Sequence, residues 1–286
     1  MLPVLYEDDN IIAIDKPAGI ASIPERDLAK ETVLSLLEKQ LKQKPFIVHR
    51  LDKEVSGVML FAKNAGMHKY LNEEFFNRNV HKTYRALVHG IMKEEKGEIA
   101  APLRQFGSGR MGVDEKRGKP SRTKYEVIKK IDKFTITINP PISCGGINFS
   151  SLTSKARESP KIASLSRLHI LPVQVHKCRD FGVCSTTSVT PESQDVADSC
   201  PQRFTLINAY PVTGRRHQIR VHLYSIGHPI VGDTLYGDRN LQKKYPRHTR
   251  LMLHSERIAF TLPDGKEVEI KSKVPEPGLS RGLSGE

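Results

Sequence analysis

Asp52 is the residue whose surroundings most suggest chemistry. It follows Arg50-Leu51 and stands between two apolar runs, Phe46-Ile47-Val48 and Val58-Met59-Leu60-Phe61. Both runs read as buried strands, so the residues between them must form a loop anchored at each end. A carboxylate held there sits at the edge of a core, where burial and charged neighbours tune it. A second cluster, Thr213-Gly214-Arg215-Arg216-His217-Gln218-Ile219-Arg220-Val221-His222, reads as a helix start. Backbone amides and guanidinium groups gathered there suit an anion, either a phosphate or the carboxylate itself. An arginine beside a partly buried aspartate favours its ionised form, and an ionised carboxylate in a dry pocket suits nucleophilic attack. Tyr84 adds a phenol ring of the kind that stacks on nucleobases. Each residue also has an ordinary reading: Asp52 as a turn cap, Tyr84 as core, the arginines as a solvated helix face.

These residues need a scaffold, and the periodicities supply one. Val33, Leu34, Leu37 and Leu41 predict a helix from Thr32 to Gln43, and Leu71 and Phe75 predict another from Ala65 to Asn77. His81 to Val88 reads as a strand that places Tyr84, with a turn at Gly90. Glu98 to Leu103 and Thr123 to Ile131 read as further strands. Thr213-Gly214 opens a third helix, with Ile219, Leu223 and Ile226 on one side and Gly227 as its stop. Pro263-Asp264-Gly265 between Ile258–Leu262 and Val268–Ile270 signals a hairpin. Mostly local strand returns with few helices predict an α+β fold, a mixed, largely antiparallel central sheet with flanking helices.

One stretch departs from this pattern. From about Ile136 to Arg203 the composition shifts to Ser, Thr, Pro and Gly, and all four cysteines (Cys144, Cys178, Cys184, Cys200) fall inside it. Joining Phe134-Thr135 to Leu206-Ile207 restores an ordinary hairpin. The segment 136–203 is therefore read as an insertion, disordered by composition, into one domain formed by residues 1–135 and 204–275. Residues 276–286 read as a flexible tail. The cysteine spacing fits no paired ligand pattern, so no metal is expected.

The 286 residues carry a net charge of +13 and a pI near 9.6, which points to a polyanionic partner, most simply nucleic acid. A solvated lysine-rich surface is the plainer account. No apolar run reaches the ~18 residues of a transmembrane helix. The first residues read as a strand and not as a secretory signal, so reduced cysteines and a cytoplasmic location are expected.

His49-Arg50-Leu51-Asp52-Lys53-Glu54-Val55-Ser56-Gly57 resembles the signature of the RluA-type pseudouridine synthases, His-Arg-Leu-Asp-x-x-Thr-Ser-Gly. The block Thr213 to Leu223 is similar to that family's second signature. Gly227-His228-Pro229-Ile230-Val231-Gly232-Asp233 and Leu251-Met252-Leu253-His254 follow where the family has similar blocks, and Val4 to Gly19 resembles its N-terminal hairpin. The resemblance covers about residues 2–135 and 204–275, and is that of a member without an S4 RNA-binding module. It implies Asp52 as the catalytic aspartate, Tyr84 as the tyrosine that packs on the target base, and Arg215 as the arginine that pairs with the aspartate. Arg50 would lie near the RNA and fill the stack left by a flipped nucleotide. Arg216, Arg220 and His217 are expected at the RNA or shaping the pocket. Val55 departs from the family's threonine, with a modest effect on loop rigidity expected.

The implied reaction isomerises uridine in ribosomal or transfer RNA to pseudouridine. The N1–C1′ bond breaks, the base turns in the pocket, and C5 bonds to C1′. No cofactor, metal or redox step is implied, and a monomer acting on RNA without a membrane is expected. The target must leave its stack, at a cost of a few kcal/mol, which phosphate contacts and stacking would offset. Asp52 either attacks C1′ or abstracts a ribose proton, and the sequence leaves both open. Two rivals stand beside this reading. One is a catalytically weakened RNA-binding protein that retains the fold, the insertion having disrupted the hairpin ahead of Arg215. The other is a two-carboxylate hydrolase, for which no second carboxylate is marked.

Overall fold

The computed structural model describes residues 1–24, 30–131, 203–237 and 250–275. The four cysteines, the insertion apart from Arg203, and the tail, together with the disorder expected of them, lie outside the described residues.

The apolar run after Asp52 becomes β4 (Ser56–Ala62), and every residue of it is buried. Its alternate side chains feed two cores: Met59 and Phe61 enter one cluster, Val58, Leu60 and Ala62 the other. A strand covered on both faces needs apolar residues at successive positions, which is why this segment reads as a continuous run. The same division runs through β2 (Ile11–Lys16), with Ile12 and Ile14 on one face and Ile11 and Ala13 on the other.

β1 (Val4–Glu7) pairs with β2, and β2 with β4, both antiparallel. The short β3 (Phe46–Ile47) pairs with the far end of β4, leaving the Asp52 loop to connect them. Further along come β5 (His81–His89), β6 (Lys96–Ile99), β9 (Thr123–Ile131), β10 (Phe204–Pro211), β11 (Leu253–Thr261) and β12 (Glu267–Lys271). The main sheet has ten strands in the order β1-β2-β4-β11-β5-β10-β9-β6, with β12 on β11 and β3 on β4. Among the described strand pairs only β4 and β11 run parallel, through His254 and Ser255. At that crossing Gly57 has φ 110°, and a Cβ there would run into the Ser255 carbonyl. β7 (Leu103–Gln105) and β8 (Met111–Val113) form a separate two-stranded ribbon.

The helices fall on opposite faces. α1 (Val33–Leu41) contributes Val33 and Leu37 to the cluster that holds Leu51, Val55 and Tyr84. Thr32 and Ser35 cap it reciprocally, satisfying amides that a helix start leaves open. α2 (Ala65–Asn77), capped by Asn64, contributes Met67 and Leu71 to the other cluster. α3 (Gln218–Ser225) lies with the first, through Ile219 and Leu223.

The expected α+β, largely antiparallel architecture is the one observed. β9 and β10 pair antiparallel from Phe204 opposite Ile131 to Pro211 opposite Thr123, so the chain leaves and re-enters the sheet at facing positions. Three local expectations are corrected. The strand expected from Glu98 to Leu103 is divided between β6 and β7, since Pro102 has no amide hydrogen to continue a ladder. The third helix starts at Gln218 and not at Thr213-Gly214, because His217 takes the left-handed conformation at φ 53°. Ile226 lies beyond that helix's end and is exposed, while Gly227 supplies the expected turn at φ 82°.

Candidate active site

The Asp52 loop is fastened from both sides. Before it, His49 Nε2 accepts the Leu60 amide at 3.0 Å and the ring stacks on Phe75. Burial, followed by the charge of Lys82, lowers the His49 pKa to about 3, so the ring stays neutral and can accept. Leu51 is tied twice to Ser22: its carbonyl accepts from Oγ at 2.7 Å and its amide donates back at 3.2 Å. After it, the Val55 amide donates to the Asp52 carbonyl at 3.1 Å, closing a turn. Lys16 is fully buried and donates through Nζ to the carbonyls of Pro17, Lys53 and Val55 at 2.9, 3.0 and 2.7 Å. Leu51 and Val55, on either side of Asp52, are both buried in the core. Val55 sits in that dry cluster, where a threonine hydroxyl would need a partner.

The guanidinium on Asp52 belongs to Arg220, whose Nη1 lies 3.2 Å from Oδ2. His217 Nε2 is 3.9 Å from the same oxygen. Arg215, expected to pair with the aspartate, is exposed, as are Arg216 and Arg50. The reason is helical phase. α3 begins after the left-handed turn at His217, and residues Gln218 to Leu223 are all buried. That burial carries Arg220 inward, whereas Arg215 and Arg216 precede the helix in the turn. Gln218 fixes that turn: its Oε1 accepts from Thr213 Oγ1 at 2.6 Å and from the Arg215 amide at 3.0 Å. Its Nε2 donates to the Arg122 carbonyl and Thr123 Oγ1, tying the turn to β9.

Two residues not singled out by sequence complete the arrangement. Asp233, fully buried at its side chain, takes Arg220 Nε at 2.7 Å and Nη2 at 2.8 Å in a bidentate pair. Its Oδ1 also accepts the amides of Leu235 and Tyr236 at 2.9 and 3.0 Å. Tyr236 packs beneath Arg220, with the guanidinium carbon 5.2 Å from the ring centroid. Burial alone would lower the Arg220 pKa, but Asp233 and then Asp52 outweigh it and hold the group above its ordinary value. Arg220 is therefore a fixed cation at any working pH. Asp233 takes one side of its planar fork, and Nη1 remains for Asp52. The sequence signal for Asp233 was present, a charge directly after the apolar pair Ile230-Val231 and Gly232, but its role depended on what it faced.

Tyr84 projects from β5 into the cluster that contains Leu51, Val55, Ile219 and Leu223. Burial holds its phenol well above the usual tyrosine value; a hydrogen bond with Ser255 offsets part of this and the Asp52 charge adds to it. It stays a neutral, mostly buried ring on the Asp52 side of the sheet. The arrangement thus joins a carboxylate to a clamped cation beside an aromatic wall, with exposed arginines in the loop and the turn that flank it. Both close contacts fall on Oδ2, so Oδ1 is engaged by neither.

Among the described residues no helix is long and apolar enough to cross a membrane. The chain matches the model of the RNA pseudouridylate synthase family over residues 10–225. It is 32% identical to the tRNA pseudouridine synthase C of Haemophilus ducreyi, over 92% of this chain and 86% of that protein. It is 29% identical to the dual-specificity RNA pseudouridine synthase RluA of Vibrio cholerae, over 92% of this chain and 78% of that one. The fold is similar to that of human RNA pseudouridylate synthase domain containing 1, with a TM-score of 0.63 at 21% identity over 96% of this chain and 84% of the other. The chain belongs to the RNA pseudouridylate synthase family, enzymes that isomerise uridine in RNA to pseudouridine.

Proposed function

We propose that Asp52 is the catalytic carboxylate for isomerising a flipped-out uridine, with transfer RNA as the first substrate class and ribosomal RNA as the second. The observation that carries this is the Arg220–Asp52 contact at 3.2 Å on a loop pinned by Lys16, Ser22 and His49. A reacting group needs fixed geometry before substrate arrives, and this one has it. The names of the relatives, a transfer-RNA enzyme and a dual-specificity one, support the substrate classes.

Arg220 balances the charge on Asp52, and Tyr84 is the wall against which the uracil turns. Arg50, Arg215 and Arg216 contact phosphates or fill the vacated stack, and the +13 net charge favours approach to the polyanion. The enzyme acts as a monomer in the cytoplasm. In the reaction the N1–C1′ bond breaks, the base rotates, C5 bonds to C1′, the C5 hydrogen leaves as a proton, and N1 takes up a proton from solvent. The proton lost from C5 is the readout. Asp52→Asn is expected to abolish tritium release from transcripts labelled with [5-³H]uridine while RNA binding stays within about threefold. Normal release by the folded variant would overturn the assignment. Absence of release by the unaltered protein would favour a weakened RNA-binding protein.

A further inference from the structure

Tyr236 lies beside the site and touches two groups that reach Asp52. Only 3% exposed, it presents its hydroxyl to two partners at once. The Met111 amide donates to that oxygen at 3.0 Å, and His217 Nδ1 lies 2.7 Å from it. An amide can only donate, so the phenol's own hydrogen is free to go to the imidazole. Burial raises the Tyr236 pKa above its usual value, which keeps that hydrogen in place. A buried hydroxyl that spends its hydrogen on Nδ1 leaves the ring proton on Nε2. Nε2 is the atom 3.9 Å from Asp52 Oδ2. The left-handed backbone at His217 gives the ring this approach, and the imidazole meets the Tyr236 ring edge-on at 75°.

We propose that Tyr236 is a positioning residue that fixes His217 as the Nε2–H tautomer, directed at the Asp52 carboxylate. This rests on Asp52 being the reacting carboxylate. The device aims a neutral N–H at Oδ2 from 3.9 Å, beyond direct hydrogen-bond reach, beside the direct charged donor from Arg220 at 3.2 Å. It places a neutral dipole near the carboxylate without adding a second full positive charge, which would damp its reactivity.

Several charged groups bear on the imidazole. Asp52 faces it from the loop, Arg216 and Arg220 from the turn and α3, and Asp233 from the segment that carries Tyr236. Burial lowers its pKa below the usual histidine value; Asp52 works against this, Arg220 and Arg216 with it, and Asp233 against it. Protonation would put a hydrogen on Nδ1, pointing at a phenol that already donates there. Tyr236→Phe removes that opposition, so the imidazole protonates at a higher pH and its tautomer is no longer set.

The test uses the full-length ¹⁵N-labelled protein. Ring-nitrogen shifts of His217, assigned with His217→Gln, are expected to show Nε2–H alone in the unaltered protein and a tautomer mixture in Tyr236→Phe. The acid limb of kcat on [5-³H]uridine-labelled tRNA transcripts is expected to move up by roughly one pH unit, the effect of one hydrogen bond. KM should stay within about twofold. His217→Gln keeps a donor near the Nε2 position and does not titrate there. Adding Tyr236→Phe to it should then change kcat by less than about twofold, whereas a purely structural tyrosine would cost the same in both backgrounds. An unchanged tautomer and acid limb in Tyr236→Phe, or equal losses in both backgrounds, overturns the proposal. The nitrogen shifts need no turnover, so they remain informative even if Asp52→Asn proves active.

Discussion

The two sides of the candidate site are built differently. Asp52 stands on a loop whose fastenings are mostly to backbone: Lys16 to three carbonyls, Ser22 to both polar groups of Leu51, His49 to the Leu60 amide. Arg220 is held by side-chain charge and ring contacts from residues 13 and 16 positions further along, Asp233 and Tyr236. The first side is a shape, made of many moderate hydrogen bonds. The second is a static ion-pair network around a buried cation, made of few strong ones. Losses on the first side should therefore be graded, and losses on the second abrupt.

The sharpest way to break that contrast is Asp233→Ala. It leaves Arg220 buried against Asp52 alone, and removing one partner of a buried pair costs ~3–5 kcal/mol. Chemical denaturation should show that loss, and kcat should fall by a hundredfold or more as the Arg220 fork loses its anchor. A loss under ~1 kcal/mol would place both sides in the same class. Next in size is a pH effect on the loop side. The folded His49 pKa is about 3 against 6.5 in the unfolded chain, so the unfolded state binds more protons between these values. The stability it contributes is present in full above pH 6.5 and is lost progressively as pH falls toward 3. Going from pH 6.5 to 5 should cost ~2 kcal/mol, and His49→Gln should flatten that slope in denaturant titrations at several pH values.

Ser22→Ala probes a single fastening. It removes one accepted and one donated bond to Leu51, and ~1 kcal/mol of stability should go with them, with kcat lowered by only severalfold as the loop loosens. The smallest effect is expected from Arg215→Gln. An exposed arginine ahead of α3 should raise KM for tRNA by severalfold and reduce the salt dependence of binding by about one charge, with kcat nearly unchanged. A kcat collapse there as large as in Asp233→Ala would return Arg215 to the role first expected of it.

This contrast also explains which parts were readable beforehand. β4 could be read because a strand buried on both faces must be apolar at every position. α1 and α2 could be read from period and cap residues, Thr32 and Asn64, which act within one turn. The β9–β10 pairing was readable because the residues flanking 132–203 keep hairpin patterning whatever lies between them. The start of α3 was misread because a histidine at φ 53° carries no signature of its own, and the displaced start changed which arginine faces inward. Family likeness pointed to Arg215 in that block, whereas the arginine that lies on Asp52 is Arg220.

Sequence by itself determined the α+β architecture, the loop that presents Asp52, and the family, because alternation, capping and a contiguous motif are local properties of a chain. Only the tertiary structure decided that Arg220 meets Asp52, that Asp233 clamps it, and that Tyr236 reaches His217. These partners lie between 13 and 168 positions apart for the two carboxylate contacts of Arg220. A charge becomes a partner only when folding removes the water between it and its counterpart, and no spacing along the chain records that distance.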